Sequence, residues 1–306
     1  MAAIELSYAA RVHRLAVLSV LLAILAACHG ANDPSSPDDA ARGDAPGGDA
    51  PGSDASGGDA AGGDASGGGA LRLPPVNAKA DYQLGGAYTP PTGVALVTRD
   101  RNAAPLEGVY NICYINGFQI QPDESAFWAT MHSDLILRDG GTPVVDTEWN
   151  ETLIDISTAD KRRQVAAIVD AWIDGCQAAG FDAIEIDNLD SYTRSHDLLV
   201  ADHAVAAMAL FAAHAHAVGL AIGQKNSSDL VARKAELGTD FATAEECDRY
   251  DECDAYRAGY GDHVIVIEYR RADFEAGCSK FPDLSIVLRD VDLVTPTTSG
   301  YVYDAC

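Results

Sequence analysis

The segment AIEIDNLDSY, from Ala183 to Tyr192, places two carboxylates two residues apart. In an extended strand Glu185 and Asp187 project to one face, while Ile184 and Ile186 take the other. A buried charge is costly unless it is paired or hydrogen-bonded, so two acids on one face mark a site with partners. Comparable endings recur along the chain. LAIGQKN closes on Gln224, Lys225 and Asn226, FATAEEC on Glu245 and Glu246, VIVIEY on Glu268 and Tyr269, and YNICYIN carries Tyr114. Acids, amides and tyrosines at separate strand ends suit glycoside hydrolysis, in which one carboxylic acid protonates the leaving oxygen and a second carboxylate attacks the sugar or activates water. Crowding drives the pKa values of such a pair apart, giving an acid and a base from one residue type. Acidic strand ends also hold divalent cations, and the residues alone leave that open.

Blander roles stand beside these. Asp190 can cap the segment that follows it, and Glu185 can hold Lys225 in a structural ion pair. Lys225 has the position of a Schiff-base lysine, but among so many acids a charged pairing role fits it better. His214 and His216, two apart on a helical pattern, point to different faces and carry no expected function. Trp149 and Trp172 are expected in core or rim packing.

Positioning such strand ends requires an ordered series of elements. Strand-like runs occur at 82–84, 94–98, 110–115, 183–187, 220–223, 240–244, 263–268 and 284–288, with Pro143–Trp149 as a ninth candidate. Helical spacing of apolar residues runs from Lys161 to Ala179 and from Asp202 to Val218, with Gly180 and Gly219 where C-terminal caps belong. Strand, helix and parallel strand in alternation predict an α/β chain folded as a (β/α)8 TIM-type barrel, a single catalytic domain over residues 81–306. A doubly wound open sheet is the alternative. Ligands bind at the C-terminal strand ends in either fold.

The rest of the chain describes where such a domain works. Arg11 and Arg14 precede an apolar run from Leu15 to Ala27, too short for a comfortable bilayer span. The ending Leu25-Ala26-Ala27-Cys28 resembles a lipobox, so residues 1–28 read as a lipoprotein-type signal with Cys28 as the lipidated residue. Residues 29–80 read as a disordered linker, because five DAxGG-like pentapeptides from Asp44 to Gly68 contain nothing to build a core. The expected location is the bacterial cell envelope, with membrane contact only through the lipid. Setting Cys28 aside, six cysteines can form three disulfides in an exported protein, with Cys247–Cys253 and Cys278–Cys306 the expected local pairs. The chain has 46 acidic and 21 basic residues, a net charge of −25. That field disfavours nucleic acid and favours a cationic partner.

GFDAIEIDNLDSY, GLAIGQKN and ATAEECDRYDEC, in that order and spacing, resemble glycoside hydrolase family 114, as do YNICYINGFQIQPDE and VIVIEY. The resemblance covers the chain from about Tyr82 to its end. It implies an endo-α-1,4-polygalactosaminidase-like enzyme on a (β/α)8 barrel that needs no metal or other cofactor. Where the family reads E-P-D-N this chain has Glu185-Ile186-Asp187-Asn188, and the family's E-Q-C is Glu245-Glu246-Cys247. By that match Asp187 is nucleophile or base and Glu245 the general acid/base. Glu185, Asn188, Asp190, Tyr114, Lys225, Asn226, Glu246, Glu268 and Tyr269 are the expected substrate-binding residues. Partly deacetylated galactosamine polymers are cationic, which fits the acidic domain, and the enzyme is expected to be a monomer. A carbohydrate-binding lipoprotein without catalysis and a metal-dependent deacetylase of the same polymers are the rival classes.

Overall fold

A computed structural model describes residues 71–306. The signal-like segment, Cys28 and the pentapeptides lie outside the described residues. All eight expected strands form: β1 Ala80–Gln83, β2 Leu96–Asp100, β3 Tyr110–Asn116, β4 Ala183–Asp187, β5 Ala221–Lys225, β6 Phe241–Glu245, β7 Val264–Glu268 and β8 Ser285–Arg289. Each pairs in parallel with the next. A short β9, Tyr303–Ala305, adds antiparallel to β8. The sheet curls until its ends meet: Arg289 Nη1 lies 3.1 Å from Asp81 Oδ1, and the Tyr303 hydroxyl donates to the Ala80 carbonyl at 3.2 Å. The result is a nearly closed (β/α)8 TIM-type barrel.

The helices begin only after β3. They are α1 Ser125–Met131, α2 Ala159–Ala179, α3 Ala201–Ala217, α4 Lys234–Leu237, α5 Cys253–Tyr260 and α6 Arg271–Lys280. Helix α2 starts where Thr158 accepts from the Lys161 N–H at 3.2 Å and stops at Gly180, whose φ of 94° is the left-handed cap. Its buried Val165, Val169, Ile173 and Cys176 recur at three- and four-residue spacing toward the barrel. The expected ninth strand is corrected. Within Pro143–Trp149, Val145–Asp146 pairs with Glu151–Leu153, which in turn pairs with Gln119–Ile120, in a separate antiparallel sheet. Residues 147–150 turn back too soon to extend a barrel strand, with Asn150 at φ 57°.

A period of two sorts the strand residues. Ala183, Ala221, Phe241, Ile265 and Val287 gather with Tyr82 and Ile112 inside the barrel. Ile184, Ile186 and Ile222 pack outward with α2 and α3, and Val264, Val266 and Ile286 with residues of α5 and α6. Gly223 belongs to the inner face, where a Cβ would come within 2.4 Å of the Phe241 ring.

The packed chain begins by Leu71, ahead of the expected boundary at Asp81. Leu71 and Leu73 pack on the inner cluster, and Arg72 pairs with Asp182 and covers the Tyr110 ring. The Pro74 carbonyl accepts from His263 at 2.9 Å, and the Ala78 N–H donates to Ser285 Oγ at 3.0 Å. These partners all sit at strand starts, so residues 71–78 form a floor under the barrel. Three disulfides tie the domain. Cys247–Cys253 and Cys278–Cys306 are the expected pairs, and Cys113–Cys176 fastens β3 to α2.

Candidate active site

The inner-face period carries upward to the C-terminal strand ends. Above Ala183 stand Glu185 and Asp187, above Gly223 stands Lys225, and above Thr243 stands Glu245. Glu185 is fully buried below the mouth, where it accepts from the Tyr82 hydroxyl and from Thr243 Oγ1 at 2.6 Å. Above it the Lys225 ammonium lies 3.3 Å from Asp187 Oδ1 and 3.0 Å from Glu245 Oε2. Tyr114 donates to Asp187 Oδ2 at 2.7 Å, and Tyr269 donates to Glu245 Oε1. Asn226 grips Glu245 twice, donating to its Oε2 at 2.8 Å and accepting from its backbone N–H at 2.8 Å.

Left-handed residues follow three of these strands: Asn188, Asn226 and Glu246 have φ of 63°, 51° and 54°. Asparagine tolerates this region better than most residues, which accounts for two of the three. The third turn sends Glu246 away from the mouth, where it pairs with Arg249.

A cavity of about 430 Å³ opens above Lys225. Of the expected site residues, Tyr114, Asp187, Asn188, Asp190, Lys225, Asn226, Glu245 and Tyr269 line it. Glu185, Glu246 and Glu268 do not. Glu268 is out of phase: Ile265 and Ile267 hold the inner face of β7, so Glu268 faces outward and accepts from the Asp248 N–H at 2.9 Å. Its Oε2 has no hydrogen-bond partner among the described residues. Burial, with Asp273 and Asp248 nearby, pushes its carboxyl up to about 7.

The sequence of residues 63–306 matches the profile of glycoside-hydrolase family GH114. The chain belongs to this family. It is therefore a glycoside hydrolase. No curated protein sequence matches it. Solved structures share the fold, among them the following two. Ega3 of Aspergillus fumigatus, solved in complex with galactosamine, is 21% identical with a TM-score of 0.62, covering 78% of this chain and 100% of that one. The glycoside hydrolase domain of PelA from Pseudomonas aeruginosa is 14% identical with a TM-score of 0.50, covering 72% and 98%.

In this GH114 chain the electrostatics differ from carboxyl to carboxyl. Burial would raise Asp187, but Lys225, the Tyr114 hydroxyl and the Asn188 N–H outweigh it and hold Asp187 below its ordinary range. Burial works against the Lys225 ammonium as well, and Asp187, Glu245 and Glu185 overcome it, so its pKa is raised. Glu185 is pushed up to about 7 by burial.

Sequence reasoning missed part of the wall. Glu148 and Trp149 come from the turn between two strands of the small separate sheet, Glu151 from the second of those strands, Arg194 from the turn after β4, and Asp292 from beyond β8. Trp149, expected in core or rim packing, stands at the cavity edge and is 56% exposed. The run Glu148-Trp149-Asn150-Glu151, acids flanking an aromatic, was the available signal. Arg194 is occupied by Asp146 at 2.8 Å and Asp190 at 2.9 Å. His214 and His216 lie on α3 and meet Asp174 and Asp240, each at 2.8 Å.

Proposed function

We propose that this hydrolase is an endo-acting enzyme that cleaves α-1,4-linked galactosamine-containing polysaccharide with retention. Asp187 attacks the anomeric carbon while Glu245 protonates the departing glycosidic oxygen, leaving a glycosyl ester on Asp187. Glu245 then takes a proton from water, which attacks the same carbon and frees Asp187. The carrying observation is the Lys225 ammonium shared by both carboxylates at the base of the cavity. Two oxygens that meet one nitrogen are no farther apart than the sum of those two distances. That limit, on one oxygen from each carboxylate, supports the close spacing of about 5–5.5 Å used by retaining pairs over the wider spacing of inverting ones. The low-held Asp187 suits a nucleophile that must stay ionised.

The amino-sugar reading rests on charge. Seven carboxyl side chains but only two cationic ones line the cavity, and both cations are already paired. The galactosamine in the Ega3 complex supports the same reading. The α-1,4 linkage and endo action follow the family resemblance. The direct test is digestion of α-1,4-linked galactosamine oligomers with product anomer assigned by NMR. Asp187→Asn and Glu245→Gln should each lower kcat by about 10²–10⁴-fold. Full activity in either variant removes that residue from its role, and a wild-type chain that cuts nothing sinks the substrate assignment. We further propose that the full chain is a monomer lipidated on Cys28 at the cell envelope. Mass spectrometry of the membrane-extracted chain, finding an unmodified Cys28, would refute the anchor.

A further inference from the structure

Both cations of the cavity are committed, Lys225 to Asp187 and Glu245, Arg194 to Asp146 and Asp190. Three lining acids, Glu148, Glu151 and Asp292, have no ion-pair partner among the described residues. Glu148 and Asp292 are exposed, whereas Glu151 is half-buried and fixed in place. Its Oε2 accepts from Asn116 Nδ2 at 2.9 Å and from Asn188 Nδ2 at 3.3 Å. Asn188 directly follows Asp187, so the same amide joins Glu151 to the strand end that carries the proposed nucleophile. Oε1 of Glu151 receives no hydrogen bond from the described residues, in a side chain that lines the cavity. A carboxylate held by one oxygen, with the other open toward a site already rich in negative charge, is built for a cation on the ligand.

We propose that Glu151 binds the free ammonium of a galactosamine unit beside Asp187 and so sets a preference for deacetylated over N-acetylated chain. The assignment rests on the reading that the substrate is an amino-sugar polysaccharide. An acetylated nitrogen carries no charge, so Glu151 gives it no ion pair and meets a neutral amide instead. The groups facing Glu151 are Tyr114 on β3, Asp187 on β4, Asp146 on the small sheet and Arg194 on the turn after β4. Burial, reinforced by Asp187 and Asp146 and opposed by the Asn116 hydrogen bond and Arg194, pushes the carboxyl up to about 7. Its negative charge therefore grows as pH rises toward that value, and ammonium capture grows with it while the sugar's amino group stays protonated.

The test is calorimetric binding of α-1,4-linked galactosamine and N-acetylgalactosamine oligomers to the full chain carrying Glu245→Gln, which blocks turnover. The galactosamine oligomer should bind more tightly, and its advantage should widen between about pH 5 and about pH 6.5, below the range in which its own amino groups lose their protons. Adding Glu151→Gln, which keeps the shape and an acceptor for the two amides, should cut the advantage about tenfold and flatten its pH dependence. An unchanged advantage, or equal weakening of both oligomers, overturns the proposal. Should Glu151→Gln fail to fold, the pH series on the Glu245→Gln chain decides alone, and a flat advantage overturns it. Cleavage assays separate the two readings. A chain that cuts the polymer but shows no dependence on Glu151 sinks only this inference. One that binds through Glu151 yet cuts nothing sinks only the hydrolytic assignment.

Discussion

Lys225 is the residue on which the two proposed catalytic carboxylates depend. It is 4% exposed at its side chain and has Asp187 and Glu245 as its ion-pair partners. Removing one partner of a buried ionic cluster leaves the others uncompensated, so Lys225→Met should cost about 3–5 kcal/mol in a denaturant titration. The variant should also move the acid limb of the kcat/KM profile to higher pH, because Lys225 helps hold Asp187 below its ordinary range. An acid limb that stays put would deny Lys225 that role. Sequence makes Asp187, Lys225 and Glu245 legible because each ends a strand with a small or polar residue, Glu185, Gly223 or Thr243, two places before it on the inner face. The outward direction of Glu268 is not legible for a physical reason: both faces of Val264–Glu268 are apolar beneath it, so alternation gives no contrast from which to read it. Glu151 stayed hidden because it lies in an irregular insert, where no period says what faces what.

Among the elements, the strands were readable and their termini less so. All eight barrel strands follow from apolar runs and intervening helices, but β9 is only three residues long and leaves almost no pattern. The site also depends on what lies one layer beneath it. Gly223 sits two residues before Lys225, and its missing side chain leaves room for the Phe241 ring. Gly223→Ala forces a contact of 2.4 Å on a ring inside a packed barrel. The expected cost is about 1–3 kcal/mol, with kcat falling as Lys225 shifts, and a crystal structure of the variant would show the displacement. Full stability together with full activity would mean that the inner layer yields without consequence. The disulfides grade by span. Cys113–Cys176 closes 63 residues and Cys247–Cys253 only 6, so loss of the first should cost about 4 kcal/mol and of the second about 2. Thermal unfolding of the paired serine variants checks that order.

At the scale of the whole molecule, charge governs both encounter and stability. With a net charge of −25, cleavage of a cationic polymer should slow steeply as salt is added, and a flat response would remove electrostatic recruitment. Glu151, Glu185 and Glu268 are each pushed from 4.5 up to about 7, chiefly by burial. Between those values the folded chain holds protons that the unfolded chain has released, so stability falls as pH rises through the interval. Their contribution is complete below 4.5 and gone above about 7. Asp187 acts in the opposite sense, but its contribution is lost only at lower pH. Tm should therefore be lower near pH 7.5 than near pH 5, and Glu268→Gln should flatten the slope. A Tm that rises across the interval would contradict it. The floor made by residues 71–78 bears on where the chain can be shortened. A fragment begun at Asp81, the boundary that composition suggests, would be an uncorked vessel, with water reaching Tyr110 and the inner cluster from below. One begun ahead of Leu71 keeps the stopper.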